Sequence, residues 1–243
     1  MKKKQGYVYL LAAFTIPVLS VIACFMVTER VGDFIYDLRH HNPTVTSKAE
    51  VDRILSGFRR VLPEDLPAGY LRQSGMQSNP SYRPKSFYLV ERKDLHRCIA
   101  GRNRLRQVVS RDMRYHSTVF HSGRKIYLGI NRGIIHRFIE LQQVLRDKGY
   151  DPDAVRINSG RRTPAHNRIV GGAKGSRHQR GDALDLRIGD VDRNGWTDRR
   201  DKEIVLHILD GRIIGSRGGL GLYPGMQTVH MDLRGYRARW NSY

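Results

Sequence analysis

The chain has 243 residues, with 43 Lys and Arg against 23 Asp and Glu, 10 His and 2 Cys, for a net charge of +20. A composition of 40% hydrophobic and 27% charged residues excludes a disordered or collagen-like chain, and the length suffices for one domain or two small ones. Two cysteines exclude a disulfide-dense scaffold and a cysteine-only zinc finger, so a metal site here must use His and carboxylates. The positive charge predicts an anionic partner. It is uneven: residues 151–243 carry 17 Lys and Arg against 11 Asp and Glu, while residues 1–150 carry a net +14. That basic half reads either as a solvated surface or as an electrostatic tether.

Lys2, Lys3 and Lys4 precede an uncharged apolar stretch from Tyr7 to Val27. As a helix it would span roughly 31 Å, about one bilayer core. The lysines before it predict a single-pass anchor with a cytoplasmic N-terminus and an exported remainder. Pro17 is compatible with a membrane helix. Two alternatives remain open: a cleaved signal peptide, and a lipoprotein lipidated on Cys24, which follows Val21-Ile22-Ala23. All three export the remainder, which argues against nucleic acid as the partner. Cys98 is then a lone thiol.

Ser47-Lys48-Ala49-Glu50 has the form of a capping box, and Val51, Ile54, Leu55, Phe58, Val61 and Leu62 recur at helical spacing behind it. Pro63 is expected to stop that helix. Residues 63–90 read as a long Pro- and Gly-containing loop, and residues 93–109 as helical. Val119-Phe120 and Lys125 to Ile130 flank Ser122-Gly123, a hairpin signal. Ile134, Phe138, Leu141 and Leu145 mark an amphipathic helix that Gly149 terminates. The expected organisation is a membrane anchor at 1–30, a basic, partly helical juxtamembrane region at 31–115, and a chemistry-bearing domain at 116–243.

From residue 154 the texture changes. Residues 154–158 read as a short strand running into Ser159-Gly160-Arg161-Arg162-Thr163-Pro164. Ser176-Arg177-His178-Gln179-Arg180-Gly181-Asp182-Ala183-Leu184-Asp185 follows. In a strand, Leu184, Leu186 and Ile188 face the core and Asp185 the opposite side. Near the C-terminus Val229, Met231 and Leu233 take one face, and Thr228, His230 and Asp232 the other, pointing away from the core. Two His and an Asp able to converge on one zinc would leave a fourth position for a water made acidic by the metal. A neighbouring Arg could hold a developing oxyanion or a substrate carboxylate. His166, in a turn, and His207, on a helix, read as non-ligands. Against this stands the bland reading of an accidental His and Asp grouping in a chain with ten His.

The stretches SGRRTPAHN, VGGAKGSRHQRGDALDLRI, GGLGLYPG and VHMDLRG resemble the zinc D-alanyl-D-alanine carboxypeptidase and endopeptidase family, within the group that includes lysostaphin-type enzymes and hedgehog domains. The resemblance covers roughly residues 125–240. It implies a small α+β domain with a central antiparallel sheet, flanking helices and a zinc cleft. It also implies zinc on His178, Asp185 and His230, with Arg162 binding substrate or transition state; beside that set, Arg177 is a candidate for binding substrate and stabilising its negative charge. The implied substrates are the stem peptides or crossbridges of peptidoglycan, in keeping with export. One departure concerns the general base. Many relatives carry Glu three residues before the last His, where this chain has Gln227, which cannot act as a base. Related subgroups carry Asp two residues after that His, as Asp232 does here. Asp232 is then either the base or a residue orienting His230. A binding module that grips wall peptides without cleaving them is the alternative reading.

Between these motifs, Asp190 to Asp201 forms a 12-residue window with oxygen-bearing Asp190, Asp192, Asn194, Asp198 and Asp201 at positions 1, 3, 5, 9 and 12 and Gly195 at 6. This is the register of a calcium loop, with a terminal Asp as in dockerin-type loops. Calcium is expected there, beside a competing reading as a polar turn whose acids pair with Arg193, Arg199 and Arg200.

Overall fold

The capping box forms as the spacing predicts. In the computed structural model, which describes residues 30–78, 80–116 and 125–241, the Ser47 hydroxyl accepts from the Glu50 amide at 3.2 Å. Glu50 in turn accepts from the Ser47 amide at 2.9 Å. Helix α1 (Lys48–Ser56) follows and buries Val51, Ile54 and Leu55. It ends at Gly57 rather than at Pro63, because Arg59–Val61 (β1) is drawn into pairing with Phe87–Glu91 (β2). The segment between them is no bare loop, since it contains helix α2 (Ala68–Ser74).

Residues 93–109 depart further from expectation. They form a 3-10 turn (Arg92–His96), a small hairpin of β3 (Cys98–Ala100) and β4 (Asn103–Arg104), and only then the short helix α3 (Leu105–Val108). The apolar residues of 95–105 alternate too briefly to sustain a helix face, and Gly101 turns the chain at φ 54°. Helix α4 (Arg111–His116) follows. Strand β5 (Lys125–Leu128) pairs antiparallel with β2. The other half of the expected hairpin, Val119-Phe120, lies outside the described residues.

The amphipathic helix is α5 (Arg132–Asp147), capped by Asn131 and burying Ile134, Phe138, Leu141 and Leu145 as the pattern predicts. Gly149 follows it at φ 77°. Then come β6 (Val155–Ser159), α6 (Pro164–Ile169), β7 (Ala183–Ile188), α7 (Arg199–Ile208), β8 (Gly219–Leu222), β9 (Thr228–Asp232) and β10 (Ala238–Asn241). The α+β class is as expected. The larger sheet has the order β10-β8-β9-β7-β6 and is antiparallel except for the parallel pair β10-β8.

The chain divides into Met1–Asn42 and Pro43–Tyr243. In the first unit, residues 30–39 are helical, and Val31, Phe34, Ile35 and Leu38 are exposed. The Tyr7–Val27 stretch and Cys24 lie outside the described residues, among which no helix is long and apolar enough to cross a membrane. In the second unit one core cluster contains Val45, Val51 and Leu55 together with Ile99, Phe138, Leu184, Leu186, Val229 and Met231. Residues 43–115 therefore share their core with the sheet, and the expected division at 115/116 is not a division of the packing. Cys98 is buried and in no disulfide among the described residues.

Candidate metal centre

Strand register brings the chemistry together. Across the larger sheet, Trp240, Gly221, His230, Asp185 and Ser159 lie side by side in one row. Leu184, Leu186, Val229 and Met231 take the opposite face and are fully buried. A side-chain period of two in β7 and β9 thus sets Asp185 and His230 on one surface as direct neighbours.

The third member arrives from outside the sheet. His178 sits on a 3-10 turn, Arg177–Arg180, that ends at Gly181 in the left-handed region (φ 75°). A side chain at 181 would run into the backbone carbonyl of Gly129, so only glycine permits the turn to lie this close to the end of β5. The turn places His178 Nε2 at 3.1 Å from Asp185 Oδ1 and 3.1 Å from His230 Nδ1. His230 Nδ1 and Asp185 Oδ1 are 3.0 Å apart. The residues are 1%, 5% and 5% exposed, respectively.

The protons can be assigned from the outer partners. His178 Nδ1 lies 2.6 Å from the Gly160 carbonyl, which can only accept, so this nitrogen carries the hydrogen and Nε2 presents a lone pair. His230 Nε2 lies 3.0 Å from Asp232 Oδ2 and donates to it, leaving the Nδ1 lone pair inward. Two imidazole lone pairs and a carboxylate oxygen then meet with no hydrogen among them. Such an arrangement is repulsive unless a cation or an extra proton sits in it. These three residues can hold a metal ion, and two imidazoles with one carboxylate suit zinc.

Charge shifts follow the same geometry. Burial pushes the His178 pKa down and keeps the ring neutral. Burial opposes charge on His230 as well, but its bonds to Asp185 and Asp232 outweigh that and raise its pKa. Burial likewise works against ionised Asp185, yet an extra proton carried on the His178 or His230 side of the cluster holds its carboxyl well below the usual carboxylate range.

Asp232 stands on the far side of His230. It is fully buried, and its oxygens accept from the Gly219 amide at 3.2 Å, the Arg234 amide at 3.1 Å and the Arg234 guanidinium at 2.9 and 2.6 Å. Burial works against its ionised form, and the bonds from Arg234 and His230 overcome it, so the carboxyl lies well below its usual range. The face carrying His230 and Asp232 is not open, as the alternation alone suggested. Trp240 covers it, with ring centroids of Trp240 and His230 5.2 Å apart, and the Arg234 guanidinium lies 4.6 Å from the Trp240 ring. Small residues make this possible. A Cβ on Gly221 would stand 2.6 Å from the Trp240 ring, and one on Gly219 2.5 Å from Asp232 Oδ2.

Arg162 reaches the centre: its Nη2 is paired with Asp185 Oδ2, and its Nε donates to Ser159 Oγ at 3.2 Å. Arg177 is turned elsewhere, with Nη1 3.6 Å from Asp182 and Nη2 donating to the Arg234 carbonyl at 3.2 Å. Gln227 also points away, donating from Nε2 to the Asp198 carbonyl at 2.9 Å. His207 is exposed on α7. His166 Nδ1 lies 3.3 Å from Ser110 Oγ. Sequence reasoning passed over Arg234, Trp240 and the two glycines of β8. Arg234 carried a signal, since it follows Asp232 by two residues in HMDLR, but Trp240 is joined to the centre only through strand pairing.

The acidic window folds back on itself. Asp190, Asp192 and Asp201 offer oxygens close enough to share an ion. Asp190 accepts from the Asn194 and Gly195 amides, and Asp201 from the Val191, Asp192 and Asp198 amides. Asn194 and Asp198 stand outside this group. Asn194 Oδ1 accepts from the Trp196 amide, and Asp198 caps α7 through the Arg200 amide. Arg200 Nε lies 3.2 Å from Asp192, one of the pairings the polar-turn reading expected.

Residues 112–200 match the family model described as Peptidase M15. The resemblance to zinc D-alanyl-D-alanine carboxypeptidases read from the motifs therefore stands on an independent comparison. The matched segment includes Arg162, His178 and Asp185 and stops before His230, which joins the centre through the β7-β9 pairing. M15 peptidases are zinc enzymes, and the donor set here fits that metal. No curated protein and no solved structure matches the chain.

Proposed function

We propose that the protein is a zinc peptidase that hydrolyses peptide bonds in the stem peptides or crossbridges of peptidoglycan, anchored in the membrane through Tyr7–Val27 with the remainder exported. The convergence of His178 Nε2, His230 Nδ1 and Asp185 Oδ1, each with its hydrogens accounted for elsewhere, carries this reading. Zinc bound by these three residues would supply Lewis acidity and an activated water.

The chain's own residues divide the remaining work. Asp232 fixes the tautomer and ring orientation of His230, as carboxylates behind metal-binding imidazoles do. It is a poor general base, because its oxygens are taken up by Arg234, Gly219 and His230 and its affinity for a proton is lowered. Arg162 orients the Asp185 carboxylate and supplies positive charge beside it. Arg177 serves the wall of the fold rather than the substrate. The Asp190–Asp201 loop takes calcium as a structural ion through Asp190, Asp192 and Asp201.

A second reading, a module that binds wall peptides without turnover, is favoured by one observation: neither position expected to carry the base faces the centre, since Gln227 and Asp232 are both committed elsewhere. Incubating the zinc-loaded, full-length protein with purified peptidoglycan, with and without chelator, decides between the two. Chelator-sensitive release of peptide fragments, identified by mass spectrometry, supports the peptidase and names the bond cut. Retention of the protein on the wall without release supports the binding module.

A further inference from the structure

A cavity of about 770 Å³ lies beside the metal centre, and its wall contains Arg60, Arg83, Lys85, Arg132, Arg177 and Arg180 with a single carboxylate, Asp182. None of the three converging residues lines it. The cations come from three parts of the fold. Arg60, Arg83 and Lys85 belong to β1 and the approach to β2, Arg132 to the first turn of α5, and Arg177 and Arg180 to the turn that carries His178.

These charges are poorly neutralised by the protein. The nearest carboxylates are Asp182, 3.6 Å from Arg177, and Asp52, 3.7 Å from Arg132. Among the described residues no other carboxylate lies within ion-pair distance of the six. Among the described residues the Arg60 side chain bonds only a neutral hydroxyl, that of Ser86, at 2.9 and 3.3 Å. Arg83 spends Nε and Nη2 on the Met76 carbonyl. Arg180 rests over the Tyr82 ring at 5.5 Å, and its buried Nε has no hydrogen-bond partner among the described residues. Six like charges around one cavity repel one another, and an anion that bridges them relieves the repulsion.

The arrangement selects among anions. A carboxylate is planar and is satisfied by one guanidinium fork. A phosphate offers tetrahedral oxygens that accept donors from several sides, and guanidinium groups suit it. Cations converging from three elements on a cavity this large fit several phosphates in one chain better than one carboxylate. We propose that the cavity binds the phosphate groups of a phosphodiester polymer, at a site separate from the metal centre and independent of the peptidase reading.

The test uses the full-length protein in a neutral detergent, at about 0.15 M salt to screen distant charge. The probes are a hexameric glycerol phosphate chain and hexaglutamate, followed by calorimetry. The variant Lys85→Glu/Arg132→Glu reverses two exposed cations of the wall. The control Lys93→Glu/Arg102→Glu reverses two exposed cations elsewhere and changes the net charge equally. The glycerol phosphate chain is expected to bind wild type, to lose about tenfold or more in affinity in the cavity variant and less than about threefold in the control. Hexaglutamate is expected to bind wild type at least about tenfold more weakly. Equal losses in both variants would reduce the binding to net charge and overturn the site. Equal affinity for the two polymers would overturn the assignment to phosphate, and no binding of the phosphodiester would overturn both.

Discussion

Asp232→Asn separates the two roles open to this residue. The substitution keeps shape and removes charge. Asp232 accepts six hydrogen bonds: one from the Gly219 amide, one from the Arg234 amide, three from the Arg234 guanidinium, and one from His230 Nε2. An asparagine has one acceptor oxygen: in the place of Oδ2 its NH2 group faces both His230 Nε2–H and Arg234 Nη2–H, and in the place of Oδ1 it faces the Gly219 and Arg234 amides and Arg234 Nε–H, donor against donor in both cases. If the NH2 group takes the place of Oδ1, His230 keeps its partner but loses the charge behind it. If it turns to His230, the ring is driven toward the other tautomer and its inward lone pair is lost. Either way the imidazole becomes a weaker ligand. Loss of such a partner costs about 10- to 100-fold in metal affinity, or about 1.4–2.7 kcal/mol. Zinc affinity measured by competition with a chromophoric chelator should fall by that factor, while hydrolysis at saturating zinc is largely retained. Unchanged zinc affinity with abolished hydrolysis would refute the orienting role and restore Asp232 as the base.

Three further outcomes follow from the same geometry. Gly221→Ala pushes a methyl group to 2.6 Å from the Trp240 ring and should cost about 1–3 kcal/mol in urea unfolding; a neutral result would mean that β10 does not cover His230 as described. In metal-free protein the raised pKa of His230 stabilises the fold below the unfolded value, and this contribution disappears as pH rises through the folded value. Zinc displaces that proton, so its affinity should climb with pH over the same window, with proton release visible in calorimetry across buffers of different ionisation enthalpy, and a flat profile would exclude the extra proton. Millimolar calcium should raise the thermal midpoint of wild type but not of Asp190→Asn, and equal response of both would remove the loop as the site.

The parts of this structure legible in the sequence are those fixed by short-range periodicity. The alternation in β7 and β9 put Asp185 and His230 on the face opposite Leu184 and Met231. Ser47 with Glu50 announced α1, and the four apolar positions from Ile134 to Leu145 announced α5. What escaped depends on partners distant in the chain. Helix α1 stops at Gly57 because β1 has a strand to join some 28 residues away, with Arg60 set against Tyr88. Residues 31–115 read as a basic juxtamembrane region because their charge is visible in the sequence, whereas the packing of Val51 and Ile99 into the core of the sheet is not. The 12-residue acidic window matched its template by residue type at five positions. The backbone amides of the loop and the cap of α7 nonetheless compete for those oxygens, and only three of the five side chains converge.

The same dependence on distant partners decides what the His-x-Asp pair of β9 can do. The two-residue spacing guarantees that His230 and Asp232 share a face, but not whether that face meets solvent. An open face would leave Asp232 free to reach a water above the sheet. Here β10 adds parallel to β8, places Trp240 in the same row as Gly221 and His230, and brings Arg234 back onto Asp232. Closing the face removes Asp232 from water and commits it to the outer nitrogen of His230. It also leaves Nδ1, rather than Nε2, as the inward nitrogen of that ring, the reverse of His178, which is held through Nδ1 by Gly160. The glycines of β8 admit that closure, so the run Gly218-Gly219-Leu220-Gly221 belongs to the centre as much as the three converging residues do, because it sets which nitrogen of His230 is available.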